Sequence, residues 1–303
     1  KLMFKKIFSF LIARFIYLIF LFLKIIGKKK SIHICSYLFG LIGPKTKLNN
    51  RAIINLKYIW PKISENEIRI ICLNMWKNLG KNFGEFSFLH NYDPITCKNT
   101  KVLGFNYAKA LVLKNKKKKK GIIFFSAHFG NWEIGPYVIN KLNIELMGIY
   151  RKSNNFYLDK LVQKYRNKKT TYVPKGDLGA KKSFLWLRKG KGLALLMDQK
   201  LNEGININFL GKPAKTATAI AELAIRMDLD IVPIKLLRVN NGHKIVFFKK
   251  ISYTNPKLKH NQKVEFILKK INNHLSSWIK ECPEQWLWIH RRWNKKLYEK
   301  NQN

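Results

Sequence analysis

From residue 121 onward, short apolar runs alternate with segments of helical periodicity, and this alternation constrains the fold more than any other feature. The runs have the length of buried strands, and the segments between them have the length of helices. Such alternation predicts an α/β fold, with a mostly parallel central sheet flanked by helices on both faces. The predicted strands are Gly121–Ser126, Ile144–Tyr150, Leu193–Met197, Ile231–Leu237 and Ile245–Phe248, and the predicted helices are Glu133–Leu142, Phe156–Asn167, Gly179–Arg188, Thr218–Met227 and Val264–Ile279.

The last two predicted strands are joined by Val239-Asn240-Asn241-Gly242, a turn sequence that favours an antiparallel hairpin. The other strands are separated by helices, so we expect them to run parallel. Ligands of such sheets bind at the carboxyl ends of the strands. Residues that directly follow the predicted strands are therefore the candidates for a functional site.

The first 30 residues are of a different kind. Ile7–Ile26 is 20 residues long, and its polar members are Ser9, Arg14, Tyr17 and Lys24. A helix of that length rises about 30 Å, enough to cross the hydrocarbon core of a bilayer. The cations share one arc of the helix, which favours a helix lying in the interface or tilted through it. We predict a membrane anchor over residues 1–30; a cleaved signal peptide is disfavoured because no small-residue cleavage site follows.

The remainder, residues 31–303, is predicted to form one domain. Residues 31–95 have helical periodicity, residues 100–255 form the α/β core, and residues 260–303 form a C-terminal helix and a basic, aromatic tail. The four cysteines are far apart and form no CxxC pair, which excludes a disulfide framework and a zinc ribbon. The sequence has no P-loop, no GxGxxG and no GxSxG, so we expect neither a cofactor nor a metal.

The charge is strongly unbalanced, with 59 Lys and Arg against 17 Asp and Glu, a net charge of +42. Such a charge attracts nucleic acid, anionic lipid or an acidic protein. Only 10 of the basic residues are Arg, the residue that nucleic-acid binders use for bidentate contacts, so we expect no nucleic-acid partner. The abundance of Lys with Asn and Ile is also what AT-rich coding produces.

The sharpest motif follows the predicted strand Gly121–Ser126 and places His128 five positions before Glu133. On a continuous helix the two side chains would point about 140° apart. A turn at Gly130 would let the chain fold back and bring the carboxylate to the imidazole. Such a pair acts as a general base with an orienting acid. The alternative is a strand-end histidine bonded only to backbone. A zinc site is disfavoured because no third ligand lies at a plausible spacing.

The His128–Glu133 motif resembles the HxxxxE motif of the bacterial lipid A late acyltransferases. These are the lauroyl and myristoyl transferases, a branch of the lysophospholipid acyltransferase superfamily. The resemblance covers nearly the whole chain. It rests further on Arg51-Ala52, Asn55-Leu56, Pro61, Asn78-Leu79-Gly80, Glu85, Tyr150-Arg151, Asn154-Asn155, Leu158-Asp159, Asp198-Gln199, Phe209-Leu210-Gly211, Pro213-Ala214 and the segment from Pro283 to Trp293.

The resemblance implies an acyltransferase over residues 31–303 that works on the cytoplasmic face of a bacterial inner membrane. The acyl donor would be an acyl carrier protein thioester, and the acceptor would be a hydroxyl of a Kdo-bearing lipid A precursor. His128 would be the general base and Glu133 would orient its imidazole. The expected partners are the acyl carrier protein, the lipid A precursor and membrane lipids.

Seven further residues are candidates for substrate binding. Arg151 and Arg166 would bind phosphates of the lipid or of the donor, or else form surface ion pairs. Asp198 and Gln199 close a predicted strand and would shape the site, or else cap a turn. The other candidates are Asn131 within the motif, and Arg291 and Arg292 in the tail. The two tail arginines would bind a phosphate bidentately, or else belong to a packed C-terminal cap.

Two other functions stay open on the sequence alone. The first is acylation of another membrane lipid, such as a glycerophospholipid, an aminolipid or a glycolipid, because a fold does not choose its acceptor. The second is a basic, membrane-tethered binding protein without activity.

Overall fold

The computed structural model describes residues 2–240, 242–253 and 258–299. Eleven α-helices and nine strands lie in these ranges. The helices are α1 (Leu2–Ile26), α2 (Lys28–Ile42), α3 (Lys47–Ile59), α4 (Glu65–Phe86), α5 (Phe105–Lys117), α6 (Gly135–Asn140), α7 (Phe156–Tyr165), α8 (Asp177–Arg188), α9 (Ala219–Met227), α10 (His260–Glu281) and α11 (Lys296–Glu299). The strands are β1 (Thr100–Leu103), β2 (Ile122–Ser126), β3 (Leu146–Tyr150), β4 (Thr170–Pro174), β5 (Gly192–Leu196), β6 (Ile205–Phe209), β7 (Lys212–Thr216), β8 (Asp230–Val239) and β9 (Gly242–Phe247).

Seven of the strands form one sheet in the order β1-β9-β8-β2-β5-β3-β4. All neighbouring pairs are parallel except β8 with β9, which are antiparallel as the turn sequence predicts. Strands β6 and β7 form a separate antiparallel pair. The mostly parallel α/β sheet expected from the sequence is confirmed, and it brings the carboxyl ends of β8, β2, β5, β3 and β4 to one edge.

Strand β2 lies at the centre of the sheet and all five of its residues are buried. Ile123 and Phe125 pack on one face in a cluster that includes the inner side of α10. Ile122 and Phe124 pack on the other face, against α5 and α6. Burial of each such side chain stabilises the folded state by roughly 1.5–3 kcal/mol. The strand that leads to His128 is therefore held in place by packing on both faces.

Helix α4 begins at a capping box in which Ser64 and Glu67 satisfy each other's backbone N–H groups. It crosses α2 so closely that a Cβ on Gly80 would lie 2.3 Å from the carbonyl oxygen of Cys35. This close crossing directs the end of α4 towards the sheet edge at which β2 and β8 end.

Helix α1 is attached to the domain along one side. Phe20 and Leu23 are buried, and the ring of Phe20 contacts those of Phe83 and Tyr165. Near its start, the carbonyl oxygen of Ser9 accepts a hydrogen bond of 2.8 Å from the side chain of Asn155. The opposite side of the helix is an exposed apolar stripe, formed by Phe4, Ile7, Phe8, Leu11, Phe15, Leu18, Phe22 and Ile25.

Within the described residues, the segment Phe4–Ile26 of α1 is the one helix long and apolar enough to cross a membrane. The length and apolar character predicted for the N-terminal segment are therefore present. One side of the helix packs on the domain, and the other side is exposed. The boundaries predicted within residues 31–303 are not tested by these observations and stay predictions.

Four strands were not predicted. Strands β1 and β4 are the two edges of the sheet, and β6 and β7 lie outside it. Strand β1 has only two consecutive apolar residues, β6 alternates polar and apolar residues, and β4 and β7 contain a proline, so none of the four has a long apolar run. The predicted helix Glu133–Leu142 is also shorter, because it opens as a 3₁₀ turn over Trp132–Ile134 and α6 ends at Asn140.

Candidate active site

His128 and Asp198 are brought together by two neighbouring parallel strands. His128 follows β2 and Asp198 follows β5. The Nδ1–H of His128 donates to Oδ1 of Asp198 at 2.9 Å, and the backbone N–H of His128 donates to Oδ2 at 2.9 Å. Because an ionised carboxylate can only accept, Nδ1 carries the proton and Nε2 is left with a free lone pair.

The carboxylate of Asp198 is completely buried. Its Oδ2 also accepts a hydrogen bond of 2.8 Å from the indole Nε1–H of Trp286. Burial by itself raises the pKa of this carboxyl, but the adjacent His128 imidazole and the Trp286 indole lower it more, so the pKa of Asp198 lies well below its usual range. Asp198 is therefore ionised at neutral pH.

Two rings flank the imidazole of His128. The ring of His290 lies 4.7 Å away and that of Trp132 lies 5.2 Å away, both edge to face. Burial is the main cause that lowers the pKa of His290 to about 4; the charge of Arg151 acts in the same direction, as His128 does whenever its ring is protonated, and the Asp198 carboxylate opposes them. Its Nε2 is buried and has no hydrogen-bond partner among the described residues. His290 is thus a neutral imidazole beside the candidate base.

Glu133 is not the hydrogen-bond partner of His128 that the sequence led us to expect. Its carboxylate binds Arg166 bidentately, with Nη2 at 2.7 Å from Oε1 and Nε at 3.1 Å from Oε2. The guanidinium also lies over the rings of Tyr172 and Tyr150, at 5.0 and 5.4 Å. In the described part of the chain, the acid at Nδ1 of His128 is Asp198.

The physical reason is the shape of the turn between His128 and Glu133. Gly130 has a φ of +58°, and the 3₁₀ turn after it directs Glu133 towards the end of α7, away from the imidazole. Asn131 is 1% exposed. Its side chain accepts from the Glu133 N–H and donates to Glu85. Asn131 therefore shapes the turn, and the substrate-binding role expected for it stays a prediction.

The tail lies directly beside this turn. The N–H of Leu287 donates to the carbonyl oxygen of His128 at 3.1 Å, and Trp286 forms a bridge with Phe129. From α3, the side-chain amide of Asn55 donates to the carbonyl oxygens of Trp288 and His290 at 2.6 and 2.9 Å. The tail is thus part of the site and not a separate arm.

The two tail arginines differ from each other. Arg292 is completely buried and donates to the carbonyl oxygen of Lys215 and the hydroxyl of Thr216, and burial lowers its pKa to about 10. These contacts fit the packed cap, which was the alternative to phosphate binding by Arg292, and the phosphate-binding role stays a prediction. Arg291 is exposed. Of the other candidates, Arg151 is exposed and close enough to His290 to affect its pKa, and Gln199 is half-buried.

Residues 3–295 match a family described as bacterial lipid A biosynthesis acyltransferase. The chain belongs to that family. The resemblance found in its motifs is confirmed, and the protein is an acyltransferase of lipid A biosynthesis. None of the curated proteins compared with the chain is similar enough to count as a match.

In this lipid A acyltransferase, one group within the described residues has the ligand types of a metal site. Its members are His128, Asp198 and His290, whose ligand atoms lie within 4.8 Å of one another. The proton between His128 and Asp198 already occupies the space between two of these atoms, so a metal would have to displace it. The arrangement as it stands is that of a hydrogen-bonded acid–base pair.

A cavity of about 320 Å³ in the acyltransferase lies away from this pair. Lys120, Gly121, Arg188 and Arg226 are among its lining residues. Gly121 precedes β2, so the cavity is at the amino ends of the strands, on the opposite edge of the sheet from His128. It is not the place at which a substrate would meet the imidazole.

Sequence reasoning on the acyltransferase missed Trp286 as the second side-chain donor to Asp198, and His290 as the neighbour of His128. Both lie in the tail segment that the family resemblance had singled out. The available signal was that segment's unusual density of aromatic and basic residues, but it did not indicate where the tail would pack.

Proposed function

We propose that this acyltransferase transfers a fatty acyl chain from an acyl carrier protein thioester to a hydroxyl of a Kdo-bearing lipid A precursor, with His128 as the general base and Asp198 as its orienting carboxylate. One observation carries the proposal. The Nδ1–H of His128 donates to a buried, ionised carboxylate, which leaves Nε2 free to accept a proton. Asp198 thus takes the orienting role that the sequence assigned to Glu133.

The step follows from this arrangement. Nε2 of His128 accepts the proton of the acceptor hydroxyl while the hydroxyl oxygen attacks the carbonyl carbon of the thioester. Asp198 stabilises the imidazolium that forms. When the tetrahedral intermediate collapses, the carbon–sulfur bond breaks and the imidazolium returns its proton to the leaving thiolate. The products are an ester on the lipid and the free thiol of the carrier.

Glu133 and Arg166 are proposed to act as one unit that forms a wall of the site beside this pair. Their bidentate bond uses both carboxylate oxygens, and the two tyrosine rings hold the guanidinium in place. A participation of Glu133 in the chemistry stays a prediction. Arg151, exposed and close to His290, is the cation that we propose for a phosphate of the donor or of the lipid.

The proposed location is the cytoplasmic face of the inner membrane of a Gram-negative bacterium. The exposed apolar stripe of α1 supports attachment to lipid. The net charge of +42 supports two anionic partners, the lipid surface and the acidic carrier protein.

The test is a transfer assay in detergent micelles with acyl carrier protein thioesters and a tetra-acylated Kdo-lipid A precursor. We expect the wild type to form the acylated lipid and His128→Ala to form none. The matched control is His260→Ala, because His260 forms an exposed histidine–carboxylate pair with Glu222 at 2.7 Å. Product from His128→Ala would refute the assignment of His128 as the base. Transfer to a glycerophospholipid alone would show that the acceptor is not a lipid A precursor.

A further inference from the structure

A cluster of buried polar side chains lies behind the turn of residues 128–133. We call it the Arg238 cluster, and all of its members are at least nine-tenths buried. They come from helix α4 and strands β8 and β9, and they are Asn78, Asn82, Glu85, Arg238 and His243. None of them is used in the mechanism above.

Arg238 uses all three nitrogens of its guanidinium inside the cluster. Nη1 and Nη2 donate to the two carboxylate oxygens of Glu85 at 2.9 and 2.7 Å. Nε donates to Asn78 at 2.9 Å, and Nη2 also donates to Asn82 at 2.6 Å. His243 lies 3.3 Å from Glu85. Burial raises the pKa of Glu85, but its hydrogen bonds with His243 and Arg238 lower it well below the usual range, so the pair is ionised.

The cluster in turn binds the catalytic turn. The side-chain amides of Asn78 and Asn82 both donate to the carbonyl oxygen of Gly130, at 3.2 and 2.6 Å. Glu85 accepts from Asn131 at 2.7 Å. The turn is therefore held at Gly130 and Asn131, two of the four residues between His128 and Glu133, and each contact originates from a side chain that Arg238 orients.

A second set of bonds fixes the same turn from β8. The side chain of Gln285 exchanges two hydrogen bonds with the backbone of Arg238, at 2.8 and 2.9 Å, and the carbonyl oxygen of Gln285 accepts from the Gly130 N–H at 2.9 Å. A Cβ on Gly130 would lie 1.8 Å from the carbonyl oxygen of Leu236. The turn thus has no room to relax towards β8.

A buried ion pair is a costly way to stabilise a fold, since apolar residues of similar volume are often as stabilising. What the pair does supply is directionality, because its bonds have defined geometry. We propose that Arg238 and Glu85 are positioning residues: acting through Asn78, Asn82 and Asn131, they hold the turn so that Nε2 of His128 meets the acceptor hydroxyl. This inference rests on the proposed role of His128.

The test measures kcat and KM of Glu85→Gln and of Asn82→Ala in the micelle assay. Both variants loosen the turn without removing a group from the reacting atoms. We expect kcat to fall about a hundredfold, since a displacement of about 1 Å has that effect, while KM for donor and acceptor changes less than about twofold. Unchanged kcat in both variants would overturn the inference.

The matched control is Asp230→Asn. Asp230 is a buried carboxylate at the opposite end of the same strand β8, where it binds Lys250 at 2.6 Å and Asn115 at 2.9 Å. We expect this variant to lower the unfolding temperature as Glu85→Gln does, with kcat unchanged. An equal fall of kcat in Asp230→Asn would show that loss of any buried pair impairs activity, and would overturn the inference.

The double variant Glu85→Gln/Arg238→Met separates stability from positioning. It removes the unpaired guanidinium that Glu85→Gln leaves behind, so we expect the unfolding temperature to return towards that of the wild type while kcat stays low. Recovery of kcat together with stability would assign the cluster a merely structural role. Failure of the proposed function looks different, because then the wild type is inactive or His128→Ala is active.

Discussion

At the scale of single residues, the site is organised by a buried charge that is fully bonded. Asp198 accepts from the His128 backbone, the His128 ring and the Trp286 indole, and none of its surface is exposed. A buried carboxylate without such donors would take up a proton, since burial disfavours the charged form. The three donors are therefore what keeps Asp198 ionised, and Asp198 in turn holds the imidazole in the tautomer that the proposed mechanism uses.

Asp198→Asn is expected to lower kcat by about 10³- to 10⁴-fold, because an amide favours the wrong imidazole tautomer while leaving the geometry intact. KM should change little, since Asp198 is buried and does not face the substrate. The measurement is steady-state kinetics in micelles, with Glu222→Gln at the exposed His260 pair as the control. A kcat within tenfold of the wild type would contradict the role of Asp198.

His290 predicts a pH dependence of stability. Its pKa in the folded chain is about 4, below the 6.5 of a free imidazole. Between these values the unfolded chain binds more protons, so stability is lost as the pH falls through this window. From about pH 7.5 to about pH 5, the loss from this residue amounts to about 2 kcal/mol.

Urea unfolding in detergent at the two pH values measures this loss, and His290→Asn should lose that much less than the wild type. The contributions of Asp198 and Glu85 do not interfere, because carboxylates with lowered pKa values lose their contribution only at more acidic pH. Burial also lowers the pKa of His274. That residue is present in both proteins, so it contributes equally to the pH dependence of their stability. Equal losses in the two proteins would contradict the prediction.

At the scale of elements, helix α1 has two apolar sides with different partners. One side packs on α4 and α7, and the other is exposed. A helix that crossed the bilayer apart from the domain would have lipid on both sides. The packing favours a helix that stays attached to the domain and presents its outer stripe to the membrane.

Phe20→Ala and Phe22→Ala form a matched pair that tests this attachment. Phe20 is 2% exposed and Phe22 is 55% exposed. We expect Phe20→Ala to destabilise the domain by about 3 kcal/mol through the cavity that it leaves, and Phe22→Ala to leave stability unchanged but weaken binding to liposomes. Equal unfolding midpoints for the two variants would show that α1 does not pack on the domain.

The central elements were predictable and the edge elements were not. Strand β2 is buried throughout, β8 is buried over nine of its ten residues, and β5 is a purely apolar run, and strands in the centre of a parallel sheet are typically rich in apolar residues. Strand β1 alternates exposed and half-buried residues, and β7 contains Pro213, so neither has that signature. The sequence pattern thus reports burial, and it predicts a strand only where the strand lies in the core.

The same limit explains why the sequence did not identify Asp198 as the carboxylate that binds His128. Glu133 is close to His128 in sequence, and a turn at Gly130 made their contact plausible. Asp198 was expected in the same crevice because it closes a strand, but no spacing indicates that β5 lies beside β2. Strand order is set by packing of the whole sheet, so the partner of His128 follows from topology and not from local sequence.

At the scale of the whole molecule, the positive charge of +42 dominates. Charges on the surface attract an acidic carrier over a distance of about 10 Å at 0.1 M salt, and less at higher salt. We therefore expect KM for the acyl carrier protein thioester to rise by about tenfold when salt is raised to several hundred millimolar. Acyl pantetheine, a small neutral donor, is the control, and its KM should stay constant.

Two charge reversals test which surface binds the proposed carrier protein. Lys152 is exposed just after Arg151, at the edge of the sheet with His128, and Lys101 is exposed on the far edge strand β1. Lys152→Glu should raise KM for the carrier more than Lys101→Glu, with kcat unchanged in both. Equal effects would indicate that the carrier responds to overall charge and not to a surface beside the site.

The packing of the tail has a consequence for how the protein is made. Asn55 bonds to residues 233 and 235 positions later in the chain, and Asp198 receives its indole donor from Trp286. A ribosome adds about 5–20 residues per second and releases the chain from its amino end. The contacts of Asn55 and Asp198 with the tail therefore form only after residues 286–290 have been made, and contacts of such long sequence separation form slowly. We therefore expect a nascent chain that ends before Trp286 to be inactive, although its apolar helix α1 has already been made.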